Sequence, residues 1–442
     1  MSTQSSQPLR VAMLARVVFP LHGFGGIERH VFHLVTHLAR LGVRVTLYVQ
    51  TPLESDEGRM AKDESPPMSA SVHSSFVVRP SSLPGVEKVI FLRYDYTSPY
   101  LRPNSILGRQ INYPWYSWQL GRMVAAAVRR GEFDIVHAQG LCAAGYGWIR
   151  QRDPLLLRLP FIANPHGLEE YRTQDIRKWL AYAPFRALYS FGTRAADRAI
   201  ATDACTMDDL PHYLGVNPQR VVVIPSAIDV DECIAWTSDA QRAAMRARFQ
   251  LDQADLVFLS VSRLERNKGY HILAEAQARL RERLPARWRW LLVGQGKERE
   301  ALEQQVRALG IAEHVSFAGK LDDTELHSLY EEVDLVVHPT LYEGSSLVTL
   351  EAMIHHKPIV ASAAGGIPDK VFDDRNGYLV RPGDVGDLVA KMSMALDARS
   401  RWPAWGEASE QIVRSTFDWP VVARRTLAEY ERMHAERQIG QR

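Results

Sequence analysis

The chain has 442 residues, 46% of them hydrophobic and 24% charged, an ordinary globular composition with enough apolar material for two cores. A formal net charge of +2 leaves no bulk attraction to nucleic acid, so any anionic partner must be met by a local patch. Three cysteines without metal-ligand spacing, a polar N-terminus and no apolar run of about 18 residues predict a cytoplasmic protein that crosses no membrane.

After a polar arm to Pro8, residues 9–15 read as a short buried strand. A loop with Gly23, Gly25 and Gly26 follows, then a helix marked by Ile27, Val31, Leu34, Val35 and Leu38. Gly42 ends it, and residues 43–49 alternate as a second strand. Strand, glycine loop, helix, strand is the opening of a doubly wound α/β domain. Residues 51–75, rich in Ser, Pro, Asp and Glu, read as a flexible excursion. An aromatic segment from Tyr113 to Trp118 runs into a helix expected near residues 119–130. Residues 134–138, 160–164, 196–201 and 221–224 complete the strands of this half.

The pattern then starts again after a helix near residues 240–249, with a strand at 256–262, a polar loop and a helix from Tyr270. Strands are expected at 290–293, 315–318, 335–338, 359–361 and 377–380, with helices between them. The predicted fold is therefore two doubly wound, Rossmann-like α/β domains, residues 1–224 and 225–418. A charged helix at 419–442 is expected to pack back on the first domain.

In open parallel sheets ligands bind beyond the carboxyl ends of the strands, so the polar strand tips carry the candidate chemistry. The run from Ser262 to Gly269 follows a strand and opens a helix. Arg263 offers a planar fork and Lys268 a point charge, a pair suited to a diphosphate. Gly294-Gln295-Gly296 is another strand-end turn, without the full dinucleotide fingerprint. In Glu343-Gly344-Ser345-Ser346-Leu347, a serine is positioned to cap a helix whose free N–H groups and dipole suit phosphate. Glu343 before that helix and Glu351 inside it would then reach different parts of one elongated ligand, such as a nucleotide sugar. In the first half, Gly25 and Gly26 open a helix, and His166 between Pro165 and Gly167 ends a strand where it meets a sugar hydroxyl or serves structure. His137 reads as structural, and Asp229-Val230-Asp231 as solvated carboxylates in preference to a metal site.

In this order these segments, with Ile224-Pro225-Ser226-Ala227-Ile228-Asp229, the run from Asp334 to Pro339 and Gly365-Gly366-Ile367-Pro368-Asp369, resemble the family 4 glycosyltransferases, retaining enzymes of the GT-B fold. The resemblance covers nearly the whole chain. It implies that Arg263 and Lys268 bind the donor diphosphate, Glu351 the ribose hydroxyls and Glu343 the donor sugar. The amides around Ser346 and Leu347 would meet the phosphates, with base recognition near Gly319 and Lys320. It also implies that Gly26 approaches the diphosphate and that His166 lines the donor sugar and the acceptor. Two positions depart from the family pattern: Ser226-Ala227 stands where Asn-Gly is usual, and Asp369 where Glu is usual. The implied reaction is transfer from a nucleoside-diphosphate sugar to a glycan, glycolipid or small-molecule hydroxyl, as in polysaccharide assembly. No cofactor or essential metal is expected.

Arginines and apolar residues alternating through 171–198, among them Arg172, Lys178, Arg186 and Arg198, give a basic amphipathic helix. It reads either as a solvated basic face or as a peripheral contact with the inner face of an anionic membrane. The rival activities are a nucleotide-sugar epimerase of similar fold and a non-catalytic nucleotide-sugar-binding protein.

Overall fold

The computed structural model describes residues 7–23, 25–52, 76–78, 82–93, 106–168, 171 and 176–439. The chain forms two compact units, Met1–Ile224 with Val422–Arg442, and Pro225–Val421.

The first unit holds strands β1 (Arg10–Leu14), β2 (Arg44–Gln50), β3 (Phe76–Val78), β4 (Lys88–Leu92), β5 (Ile135–Gln139), β6 (Phe161–Asn164), β7 (Arg198–Ala201) and β8 (Val221–Val223). They pair in the order β3-β4-β2-β1-β5-β6-β7-β8, parallel throughout except for β3 against β4. The second unit holds β9 (Leu256–Val261), β10 (Trp288–Val293), β11 (Val315–Gly319), β12 (Leu335–His338), β13 (Ile359–Ser362) and β14 (Gly377–Val380). Their order is β11-β10-β9-β12-β13-β14, and every pair is parallel.

Parallel strands covered by helices on both faces are apolar along their whole length, and β9, Leu-Val-Phe-Leu-Ser-Val, is buried at every position. Its period of two sends Val257, Leu259 and Val261 into one core and Leu256 and Phe258 into the other. In the first unit the helix Gly26–Arg40 buries Val31, Leu34, Val35 and Leu38, the stripe its sequence marks. Each sheet has one place where strand order reverses, β1/β5 in the first unit and β9/β12 in the second. The carboxyl ends of these strands border the crevice where a ligand fits in such a sheet.

The helix Trp419–Ile439 carries fully buried Tyr430 and is tied into the first unit by ion pairs from Arg198 to Glu429 and Glu436, at 3.2 and 2.8 Å. Arg437 adds a further pair with Asp197.

Three expectations are corrected. The helix expected near residues 119–130 runs over Ile106–Arg129, with Pro114 inside it. The aromatic segment is part of this helix, because Tyr113/Tyr116 and Trp115/Trp118 are spaced three apart and share faces, the two tryptophans stacking at 5.4 Å. Strands β3 and β4 were not anticipated; β4 joins β2 in parallel register and inserts Val89 and Phe91 into the core. The single basic helix is instead two, Ile176–Ala181 and Ala183–Arg194. Arg186 is buried under Trp179, its guanidinium 4.2 Å from the ring, and Arg198 is engaged by the two glutamates, so neither belongs to a solvated basic stripe. The excursion beyond Pro52, Arg172 and the side chain of Lys178 lie outside the described residues.

Candidate active site

At the β9/β12 crevice of the second unit, the two strand-end loops are fastened to each other. Leu341 donates its N–H to the Asn267 carbonyl at 2.7 Å, and Thr340 Oγ1 donates to the same oxygen at 3.2 Å. Gly269, at φ 73°, lies where a Cβ would overlap the Pro339 carbonyl, so only glycine lets the loops close. This closure brings Lys268 to Glu343, with Nζ 2.9 Å from Oε2 and the side chains only 12% and 17% exposed. His338, the last residue of β12, places Nε2 3.0 Å from the same oxygen. Its Nδ1 is buried without a partner among the described residues. A bare lone pair tolerates this better than an N–H, so the proton belongs on Nε2 and is donated to Glu343.

Burial pushes the Glu343 carboxyl up. The His338 hydrogen bond and the Lys268 charge more than offset this and bring it down to about 2. An ordinary glutamate titrates near ~4.3. The carboxylate therefore adds stability that is fully present above that value and is lost as pH falls through about 2.

Glu343 leads into Gly344-Ser345-Ser346 and the helix Leu347–Ile354. Ser346 occupies the N-cap, yet its hydroxyl makes no capping bond, and among the described residues its Oγ is buried without a partner. The serine cap expected from the sequence is thus present in position but not in bonding, and among the described residues no side chain caps the opening N–H groups. Beneath the turn lies Lys370, wholly buried, donating to Ser345 Oγ at 3.1 Å and to the Ser346 carbonyl at 2.9 Å. Gly365, at φ 54°, has no room for a Cβ against the Glu343 carbonyl, and Gly366 donates its N–H to the Gly344 carbonyl at 2.9 Å. Segment 365–370 is therefore a floor for the turn. An ammonium that donates to Ser345 Oγ also leaves the hydroxyl proton to be donated elsewhere.

Glu351 lies one turn inside the helix and accepts from the Tyr330 hydroxyl at 3.2 Å. Gly294, at φ 136°, packs its loop against Ser262, where a Cβ would overlap the carbonyl oxygen. Lys320 follows Gly319 at the exposed end of β11. Arg263 is placed differently: its guanidinium is 67% exposed and pairs with Glu265 at 2.9 Å, and among the described residues it makes no ion pair with Glu343. The structure thus unites Lys268, Glu343 and the Gly344–Leu347 turn, and leaves Arg263 on the loop surface. Asp229 caps the helix Val230–Ala235 by accepting from the Glu232 N–H at 3.0 Å, and Asp231 is exposed.

In the first unit, Gly25 is the N-cap of the helix Gly26–Arg40, again without a side-chain cap, and a Cβ on Gly26 would face open space. His30 of that helix meets His166 edge to face at 4.8 Å. His166 has left-handed backbone, φ 63°, and its N–H donates to Asn164 Oδ1 at 3.0 Å. Burial lowers its pKa to about 4, so the ring is neutral near pH 7.

A buried relay orients the ring. His166 Nε2 lies 2.8 Å from Gln139 Oε1, Gln139 Nε2 3.0 Å from His137 Nε2, and His137 Nδ1 2.6 Å from the Tyr430 hydroxyl. An amide nitrogen only donates, so His137 accepts at Nε2 and carries its proton on Nδ1, facing Tyr430. Gln139 Oε1 then accepts from His166 Nε2–H, and the His166 lone pair sits on Nδ1. Tyr430→Phe strands a buried N–H on His137 and is expected to destabilise the first unit by about 1–3 kcal/mol in urea unfolding. Unchanged stability would break the relay.

Sequence reading assigned no role to His338, Gln139, Lys370 or Tyr430. Lys370 left a trace, a lysine set among Ile367, Pro368, Val371 and Phe372, and His338 lies in the run from Asp334 to Pro339. Tyr430 reaches its partner across 293 positions, which no local pattern signals.

Two doubly wound units, one with a cation–carboxylate pair beside an uncapped helix turn, fit the GT-B fold of glycosyltransferases. Residues 24–232 match the family model Glycosyltransferase Family 4, and residues 241–412 match Glycosyl transferases group 1. The chain belongs to the family 4 glycosyltransferases. It is 28% identical over 429 residues to glycogen synthase of Mycobacterium tuberculosis, covering 93% of this chain and 92% of that one. It is also 28% identical over 446 residues to D-inositol 3-phosphate glycosyltransferase 2 of Catenulispora acidiphila, covering 97% and 96%. Among solved structures, sucrose-phosphate synthase of Thermosynechococcus elongatus aligns with a TM-score of 0.70 at 21% identity, over 97% of this chain and all of the other. Anabaena HepE in complex with UDP aligns at 0.68 and 18% identity, over 96% and 100%. These likenesses establish the fold. Among the described residues, no helix is long and apolar enough to cross a membrane.

Proposed function

We propose that this glycosyltransferase moves a hexosyl group from a nucleoside-diphosphate sugar to a hydroxyl, with retention at the anomeric carbon. The observation that carries the reading is the Lys268–Glu343 pair fastened beside the uncapped turn at the β9/β12 crevice. The difficulty of the reaction is charge: the anomeric C–O bond breaks, the sugar carbon becomes cationic, and negative charge gathers on the departing diphosphate. Lys268, the amides of Ser346 and Leu347 and the Ser345 hydroxyl are donors aimed at one turn, and they stabilise that anion without reorganising. Glu343 anchors Lys268 and meets the donor sugar, Glu351 takes the ribose hydroxyls, and a diphosphate draws Arg263 in from the loop surface. Gly294 lets its loop pack closely against the Ser262 strand end on the donor side, and Lys320 lies at the strand end assigned to the base. In the first unit, His166 addresses the acceptor hydroxyl. The leaving phosphate takes the acceptor proton on the face from which it departs, and the new bond forms there. Support comes from the kinship with glycogen synthase and from neighbours of the same fold seen with UDP and with UDP-glucose.

Lys370 acts here through Ser345 and Ser346. Lys370→Met is expected to weaken nucleoside-diphosphate binding about tenfold, equivalent to about 1.4 kcal/mol, with Lys370→Arg recovering part of the loss. Unchanged affinity in a folded Lys370→Met protein would confine the lysine to structure. The reading as a whole is tested by incubation with UDP-, GDP- and ADP-sugars and a panel of hydroxyl acceptors. NMR of the product should show acceptor-dependent nucleotide release and the donor's anomeric configuration. An inverted product contradicts retention. A sugar altered without an acceptor identifies an epimerase.

A further inference from the structure

At the β1/β5 reversal of the first unit lies a cavity of about 290 Å³, bounded by the tips of β1, β5 and β6 and by the helices Ile106–Arg129 and Ala183–Arg194. His166 and Gln139 stand on its wall. The rest is dominated by rings: Phe185 stacks on Tyr189 at 5.9 Å and 22°, and meets Tyr113 at 5.5 Å and Tyr182 at 6.1 Å. The Tyr189 hydroxyl is committed to the Pro165 carbonyl, which turns the ring and not the oxygen into the wall. Tyr116 is likewise committed, donating to the Ala15 carbonyl at 2.8 Å. Among the described lining residues there is no Asp or Glu, and Arg16, over the Tyr113 ring at 5.4 Å, is the charged one.

Resting on the transferase reading above, we propose that this cavity selects an acceptor whose hydroxyl sits beside an apolar body, aryl or long alkyl, rather than on an unadorned sugar. A bare sugar brings several hydroxyls, and each one stripped of water without a partner is penalised. Carboxylates and amides that pair with vicinal hydroxyls are what such a ligand needs, and here Gln139 is already tied to two histidines. An apolar body packs against the cluster of Tyr113, Tyr182, Phe185 and Tyr189 and is favoured there by leaving water, while His166 addresses the hydroxyl at the polar end. The Arg16 charge admits a neutral or anionic acceptor and disfavours a cationic one.

The test uses the full-length protein, the nucleotide sugar that it turns over, and three glucosides differing only in aglycone: methyl, octyl and 4-nitrophenyl. The proposal expects kcat/KM at least tenfold higher for the octyl and 4-nitrophenyl compounds than for the methyl one. It expects Phe185→Ala to remove most of that advantage, lowering kcat/KM for the octyl and 4-nitrophenyl compounds far more than for the methyl one. Tyr182→Ala, at the edge of the ring cluster, is the second variant and should reduce the advantage in the same direction. Equal kcat/KM across the three aglycones overturns the proposal, as does a loss in Phe185→Ala and Tyr182→Ala that is the same for all. Absence of nucleotide release with any donor and acceptor would remove the transferase reading itself, a result distinct from turnover without preference.

Discussion

Lys268→Ala is expected to lower kcat by about 10²-fold or more, the scale seen when one preorganised donor to a developing anion is removed. Lys268 is 12% exposed and held at 2.9 Å from Glu343 by two loops joined at the Asn267 carbonyl. The substitution also acts on Glu343. Burial drives that carboxyl toward the protonated form, and the lysine is part of what brings it down to about 2. Without the lysine its pKa must rise. In the wild-type protein Glu343 stays ionised throughout pH 5–9 and adds no inflection there. In Lys268→Ala the residual activity should fall off on the acid side at a higher pH than in the wild type. A pH–rate profile of both proteins measures this, and coincident acid limbs would mean that the pair is not coupled.

Glu343→Gln is expected to cost about 10–10²-fold in kcat while preserving side-chain volume. One oxygen of Glu343 accepts from both Lys268 and His338. A neutral amide accepts more weakly and leaves the ammonium without its counter-charge, so Lys268 loses its fixed direction. Because the two residues form one unit, the double variant Lys268→Ala/Glu343→Gln should be little slower than the worse single variant, with a coupling of about 1–3 kcal/mol. Multiplicative losses would show that the residues act separately.

The chain announced its sheets through apolar runs such as β9 and β12, since a strand buried on both faces has no other way to be written. Lys268 and the Glu343–Leu347 turn could each be read locally because each sits on a short strand-end loop; their meeting across 75 positions comes from β9 and β12 lying side by side. Arg263 shared that local signal, but side-chain direction does not follow from it, and the guanidinium faces Glu265 instead. The basic helix failed for a related reason: Arg186 and Arg198 looked like a solvated stripe, yet tertiary partners bury the one and pair the other. His137 was read as a structural histidine, which its burial supports, but its bond to Gln139 makes it part of what orients His166. Lys370 and Tyr430 are the deeper omissions, because each acts through contacts set by packing across 24 and 293 positions.

Calorimetric titration of UDP, GDP and ADP into wild-type protein and into Lys268→Ala tests the central claim most directly. The account predicts saturable binding of at least one diphosphate by the wild type, weakened tenfold or more by the substitution. No heat from any of the three with folded wild-type protein, or equal affinity in both proteins, would contradict it.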